Sequence, residues 1–378
     1  MKKLIIIGGG IAGLAAGIYG KKAGYDVTIY EKNHVAGGEC MGWNRNGHHI
    51  DNCIHWLTGT KEGTSLRKVW EDVGALDSNT MLAETEAFYT SCHNGQEVTL
   101  WNDLDRTEKE LLLFSPEDTD EIKKFIEHVR YAESCQMPSD KPMDMMKVKD
   151  YIEMGKSMAN MPKVMKEYGK INLEDLSARF QHPALQKLFI DYLPKEYIAS
   201  SFIVSYATIT CGNGGIPAKG SLAMANRMVD KFKSLGGNLY CNTSVEKILI
   251  KNKKAYGILL DNQKEVLADY IISAADTNVL FNNLIGNQYL NKRWEEVYQN
   301  SDRYPLISGF QIACSIDLSA YHKKDTIFFD CEPFMIGNQS VSRMSVKSFE
   351  YEPDFAPSGK TVLQANVVQY DSDYLYWE

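Results

Sequence analysis

At 378 residues the chain exceeds one ordinary domain, and its 44% apolar content can build a large core, so two domains are expected. A formal net charge of −8 argues against a basic phosphate-binding face, and no nucleic acid partner is expected. The eight cysteines are scattered without a C-x-x-C pair or a secretory leader, as in a reducing cytosol, and their default role is that of small buried hydrophobes; no metal-ligand spacing appears.

The first element is Leu4-Ile5-Ile6-Ile7, a β-branched-rich run of the kind that forms a fully buried parallel strand. Gly8 permits a tight turn out of it. Gly10 lacks a Cβ, so the backbone and the start of the next helix, at Ile11 and Ala12, can approach a pyrophosphate favoured by unpaired N–H groups and the helix dipole. Gly13 lets that helix pack on the sheet. The helix is predicted to run to about Ala23 with Gly24 as its C-cap, followed by an alternating strand, Val27 to Tyr30. Glu31 stands at that strand's carboxyl end, 18 residues beyond Gly13, with Lys32 beside it. A carboxylate there accepts from both ribose hydroxyls and repels a 2′-phosphate, so FAD or NAD is favoured over NADP. The competing reading is a membrane signal, since Leu4 to Gly20 carries no charge after Lys2-Lys3. Six glycines and a length of 17 residues, short of the roughly 20 that span a bilayer, argue against it.

A second glycine pair, Gly37-Gly38, opens a stretch to Leu57 that reads as a glycine-rich, aromatic-containing loop, where a plain NAD dehydrogenase would continue into another β-α repeat. Residues 88–101 form a predicted hairpin, Phe88 to Cys92 and Glu97 to Trp101 about an Asn94-Gly95 turn. Helices are predicted next, Ser115-Pro116-Glu117-Asp118 opening an amphipathic segment that ends near Ala132. Eight of the fifteen methionines crowd into Met137 to Met165, where Met154, Met158, Met161 and Met165 recur at helical spacing and Pro162 is expected to end or kink the helix. Residues 147–170 carry six lysines against three carboxylates. An adaptable apolar stripe beside a basic face suits a lid over a lipid-like substrate or peripheral contact with a membrane; the plainer reading is a core face with solvated lysines.

Further along, Gly214-Gly215-Ile216-Pro217 precedes a predicted helix from Ser221 to Leu235. Then come Val245-Glu246-Lys247-Ile248, Ala255-Tyr256-Gly257-Ile258 and a run from Ala268 to Ser273-Ala274-Ala275-Asp276. Short alternating strands are predicted at 307–316 and 361–368.

The stretch from Gly37 resembles the FAD-binding region of the phytoene desaturase and retinol saturase group of flavoproteins. It comes closest to the saturase and carotenoid isomerase branch, through Gly37, Gly38, Trp43, Gly47, Asp51, Ile54, His55 and Trp56. The order from Gly214 to Asp276 resembles the same family's return to its flavin domain, which implies a glycine-pair turn at Gly214-Gly215. The resemblance implies an α/β fold: a Rossmann-like FAD-binding domain of GR2 type with an inserted α+β substrate domain, both discontinuous. The implied segments are 1–77 and 201–285 for FAD, and 78–200 and 286–378 for substrate. It implies Val245 as an adenine contact and Ala275 near the cofactor phosphates; the plainer reading of Val245 is a core strand residue.

Two departures stand out. Relatives place an Arg directly after the glycine pair, where this chain has Glu39, so helix dipole, backbone N–H groups and Arg45 are expected to balance the phosphates. Nothing after Asp276 resembles the family's glycine-rich turn against the flavin ring, and the resemblance places the stop at Tyr374-Leu375-Tyr376-Trp377-Glu378 inside the substrate domain; a truncated product or half of a split protein is one reading. The implied activity is FAD-dependent hydride exchange between flavin N5 and a carbon of an apolar, polyene or isoprenoid-like substrate. NAD(P)H or a quinone would be the electron partner, and the location would be cytoplasmic or peripheral at a membrane. His55 is the acid–base candidate, against the plainer reading of a buried imidazole satisfied by backbone. The alternatives are an amine oxidase-like flavoenzyme with a polar substrate and a non-catalytic dinucleotide-binding fragment.

Overall fold

In the computed structural model of the protein, residues 1–51, 53–83, 85–301, 303–304, 306–321 and 326–370 are described. Four parallel strands form the nucleotide sheet in the order Asn238–Tyr240, Asp26–Tyr30, Lys3–Ile7, Tyr270–Ser273. Helices Ile11–Lys22 and Gly220–Ser234 cover one face through Leu14, Ile18, Met224, Met228 and Phe232. An antiparallel meander, Val245–Lys251, Lys254–Leu260 and Glu265–Leu267, covers the other through Ile248, Ile258 and Leu260. Cover on both sides explains why the Leu4–Ile7 run is apolar throughout. Phe232 is fully buried in this core, where removing such a ring costs about 3–5 kcal/mol.

The second sheet has six strands, in the order Ile307–Asp317, Lys360–Tyr370, Gln339–Ser348, Thr326–Ile336, Ala87–His93, Gln96–Trp101. Its neighbours are antiparallel except at one junction, where Ile327, Phe328 and Phe329 run parallel to Thr90, Ser91 and Cys92. That junction joins parts of the chain more than 230 positions apart. Helices from Leu104 to Thr210 pack on this sheet around Phe125, Tyr168, Phe189, Phe202 and Tyr206, all fully buried.

Several elements differ from their sequence-based expectations. The 37–57 stretch is not all loop: Gly42–Arg45 and His48–Asp51 form a hairpin about Asn46-Gly47, both at positive φ, as a two-residue turn demands. Gly214–Pro217 is not a turn but a strand held between Leu57–Thr58 and Leu82–Ala83. Helix Ala199–Thr210 packs in the helical core through Phe202, Ile203 and Tyr206. Pro162 stands in the first turn of helix Met161–Tyr168, where its missing N–H is harmless, and the preceding helix Val148–Ser157 ends before it. The strands at 307–317 and 360–370 are long, eleven residues each. Helix Lys292–Gln299 was not anticipated, because it is polar and has no buried residue. The expected chain end at Tyr374 to Glu378 lies outside the described residues, as does Asn52.

Candidate cofactor cradle and substrate cavity

The cradle is made of backbone. Gly8 leaves the Lys3–Ile7 strand at φ +98° and Gly10 caps the next helix without a side chain, leaving the first N–H groups of Ile11, Ala12 and Gly13 without an acceptor inside the helix. A Cβ on Gly13 would lie 2.0 Å from the Gly8 carbonyl oxygen, so no other residue fits. Gly37 N–H donates to Gly9 O at 2.9 Å, and a Cβ on Gly38 would lie 3.0 Å from Gly10 Cα. The two glycine turns therefore meet backbone to backbone. On the other side of Gly8, its Cβ position lies 3.1 Å from Ala274 O and 3.5 Å from Ala275 N, which brings Ala275 to the same turn.

Glu31 is buried, its carboxylate accepting from Gly9 N–H at 2.7 Å and Asn33 N–H at 2.9 Å, with lone pairs left on both oxygens for ribose hydroxyls. Its carbonyl accepts from Thr243 N–H at 2.9 Å, two residues before Val245, which opens the meander and packs half-buried against its core. Lys32 is exposed. Arg45 is exposed on the 42–51 hairpin and forms no ion pair among the described residues. The glycine cradle, unpartnered helix N–H groups and buried carboxylate fit the diphosphate and ribose of FAD.

The 37–57 stretch runs from the cradle to a cavity. Asp51, 4% exposed, accepts from Ser221 N–H at 2.5 Å and Ser221 Oγ–H at 2.7 Å, and Ile54 N–H donates to Ser221 Oγ at 3.0 Å. The hairpin is thus fastened to the start of helix Gly220–Ser234, and Asp51 acts as an anchor. Next come His55 and Trp56, which with Tyr192, Thr326 and Lys347 line both a small cavity of about 50 Å³ and a larger one of about 590 Å³. The larger cavity also takes the apolar Ile190, Leu193, Phe328, Val341, Met344 and Val367 and the polar Gln339, Ser340, Ser342, Ser345, Gln364 and Asn366. Trp56, Phe88, Tyr192 and Tyr89 form a chain of ring contacts at one end, 4.5–5.7 Å between consecutive neighbours except Trp56 and Tyr192 at 5.9 Å.

His55 is open to the cavity but surrounded by protein, and this burial, with the Lys347 ammonium nearby, pushes its imidazole down to about 4. It is neutral at neutral pH. Burial likewise lowers Lys347 to about 8, opposed by Asp51, and its Nζ lies 5.0 Å from the Phe349 ring centroid. No carboxylate among the described residues pairs with it. The cavity's other cation is fully engaged. Arg343 donates Nε and Nη2 to the two oxygens of Asp191 at 2.5 and 2.7 Å, Nη1 to Asp330 and Cys92 O, and Nη2 to Ser91 Oγ. All five donors are used.

Sequence reasoning missed Arg343 and Lys347. The signal was present: positions 343, 345 and 347 share one face of a strand, so two long basic residues recur on it at the period of 2. The Met-rich segment is mixed. Met161 packs on the helical core and Val164 and Tyr168 are buried in it, whereas Met143, Met145, Val148 and Ile152 are exposed, and helix Val148–Ser157 buries no residue. Among the described residues no helix is long and apolar enough to cross a membrane.

Residues 11–375 match the family model of flavin containing amine oxidoreductases. The phytoene desaturase (neurosporene-forming) of Rhodobacter capsulatus is 28% identical over 317 residues, 80% of this chain and 57% of that protein. The 4,4'-diaponeurosporene oxygenase of Staphylococcus aureus is 23% identical over 358 residues, 90% of this chain and 68% of that protein. The chain thus spans a little over half the length of the first of these relatives. Among solved structures, an oxidoreductase from Methanosarcina mazei superposes with a TM-score of 0.65 at 17% identity, covering 99% of this chain and 81% of that one. Putrescine oxidase bound to putrescine gives 0.59 at 15% identity, covering 99% and 77%. These likenesses establish the fold.

Proposed function

The chain belongs to the flavin containing amine oxidoreductase family, and from that premise we propose that it is an FAD-dependent oxidoreductase acting on an apolar polyene. The observation that carries this reading is a cavity of about 590 Å³, lined by Trp56, Tyr192 and Phe328 among apolar and polar side chains, reached from a backbone dinucleotide cradle through the 37–57 stretch. In this reading Gly8, Gly10, Ile11, Ala12, Gly13, Gly37, Gly38 and Ala275 hold the diphosphate, Glu31 the ribose and Val245 the adenine, with Lys32 and Arg45 at the rim. The flavin domain takes segments 1–77 and 211–285, and the substrate domain the remainder. Bound FAD supplies hydride exchange at its N5 with a substrate carbon.

The protein's share is positioning and exclusion of water. Trp56, Tyr192 and Phe328 offer flat apolar surface to a conjugated chain. His55, neutral and open to the cavity, can accept or donate one hydrogen bond without bringing charge to an apolar substrate. Arg343 has no donor left for a substrate carboxylate, and Asp191 is already satisfied and so is not offered to an amine. Of the charged groups described at the cavity Lys347 alone remains without a carboxylate partner, and it is the relatives' names that weigh against the polar-substrate alternative. The relatives' names, phytoene desaturase and 4,4'-diaponeurosporene oxygenase, support a polyene, and the exposed Met143, Met145, Val148 and Ile152 among lysines support drawing it from a membrane surface.

The test is anaerobic mixing of the purified yellow protein with phytoene in anionic liposomes. Flavin absorbance should bleach and recover on adding a quinone. A colourless protein, or a spectrum that responds to putrescine and not to the polyene, would overturn the assignment. Protein that fails to sediment with the liposomes would remove the membrane part alone.

A further inference from the structure

Two nucleophilic side chains lie where the cradle and the cavity loop meet. Cys40 follows the glycine pair by two positions and Cys53 precedes Ile54-His55, with their Sγ atoms 3.5 Å apart. Among the described residues this is the one thiol–thiol contact of the eight cysteines, all of them free. Cys40 is 9% exposed, and Cys53 is half-buried and open to a small reagent. Both flanks are fastened: Cys40 N–H donates to Gly37 O at 3.1 Å, Cys53 N–H reaches Asp51 Oδ1 at 3.4 Å, and Ile54 is held by Ser221. A disulfide has sulfurs about 2.05 Å apart, so about 1.5 Å remains to close. The hydrogen bond between the two sulfurs holds the Cys53 thiol below its ordinary value against burial and nearby carboxylates, while the same contact and burial raise Cys40.

The geometry points to Cys40 and Cys53 as a reversible disulfide site that ties the diphosphate turn to the cavity loop and tightens the hold on FAD. The bond itself does not depend on the flavin reading; its consequence does. The oxidant is a low-molecular-weight disulfide. Cys53 thiolate attacks one of its sulfurs and expels the other as a thiolate, which takes up a proton. Cys40 then loses its proton and attacks Cys53 Sγ, expelling the second small thiolate, which is protonated in turn. Two protein thiols lose two electrons and two protons, and one external disulfide becomes two thiols. The ring so closed contains the 42–51 hairpin and removes conformers in which Gly38 parts from Gly10, so less ordering is left for FAD to impose. By linkage, bound FAD makes the pair easier to oxidise.

The full chain is equilibrated in glutathione redox buffers, free thiols are trapped by alkylation, and peptides are mapped by mass; FAD release on dilution is followed by fluorescence. The expected result is a Cys40–Cys53 cross-link, reversed by dithiothreitol, with FAD release slowed by roughly fivefold or more. Cys53→Ser and Cys40→Ser should each retain flavin and lose both effects. The proposal is overturned if other thiols react while this pair stays reduced, or if the bond forms and FAD release is unchanged or faster. A chain that carries no FAD fails the flavin reading, while the mapped bond still decides whether the pair is a disulfide site.

Discussion

In the dinucleotide cradle the decisive contacts are between backbone atoms, and most of their residues lie within the first 38 positions; in the larger cavity they are between side chains drawn from residues 55 to 368. The cradle tolerates no added atom at Gly13, where 2.0 Å separates a Cβ from the Gly8 carbonyl. The cavity wall is instead balanced by charge, with Arg343 between Asp191 and Asp330. The difference teaches that one region is specified by absence of side chains and the other by their mutual satisfaction, so the two should fail differently when changed.

The largest effect is expected from Gly13→Ala. One added carbon must push the helix from the sheet or the turn from the diphosphate, so soluble yield and visible flavin absorbance should both collapse. A yellow, well-behaved Gly13→Ala protein would end the claim that close approach specifies the cradle. Next is Arg343→Met, which strands Asp191, whose side chain is 2% exposed, without its partner. Breaking such a pair costs about 3–5 kcal/mol, to be read from denaturant midpoints, and Asp191→Asn added to it should recover part of the loss. Flavin stoichiometry in the folded fraction should stay near that of the unchanged chain; loss of flavin in step with Gly13→Ala would mean the two regions are not separable.

The smallest effect concerns pH. His55 sits at about 4 in the folded chain and near its ordinary value when unfolded. Between those values the unfolded chain binds the extra proton, so stability falls as pH drops from about 6.5 to about 4. His55→Gln should flatten that part of the stability profile slightly, since the ring is open to the cavity. Lys347, lowered to about 8, acts in another window: its share of stability rises as pH increases from about 8 toward about 10.5, and Lys347→Met should remove that rise. An unaltered acid limb in His55→Gln would show that the imidazole does not feel its surroundings as described.

Much of the cradle was legible because its signals are local. The run Leu4–Ile7, Gly8, Gly10, Gly13 and Glu31 each answers one steric or electrostatic demand at a fixed spacing, and the strands and helix formed within one or two residues of their expected ends. The hairpin at 42–51 was legible too, from Asn46-Gly47, but glycine and aromatic content made the stretch read as loop. The family resemblance made Gly214–Pro217 a turn, yet it is a strand because Leu57–Thr58 and Leu82–Ala83 supply partners on both sides. Its composition carries no trace of them.

The sequence by itself determined the strands at 3–7 and 26–30, the glycine turn with its carboxylate and the 87–101 hairpin. All of these rest on residue periodicity, missing side chains or short-range turns. Only the tertiary structure decided that Arg343 meets Asp191, that Lys347 stands beside His55, that Cys40 meets Cys53 across the hairpin, and that the 326–336 strand lies parallel to 87–93. Such contacts depend on where distant strands are brought into register, and a charge or thiol in a strand looks the same in sequence whether it faces solvent, a cavity or a partner.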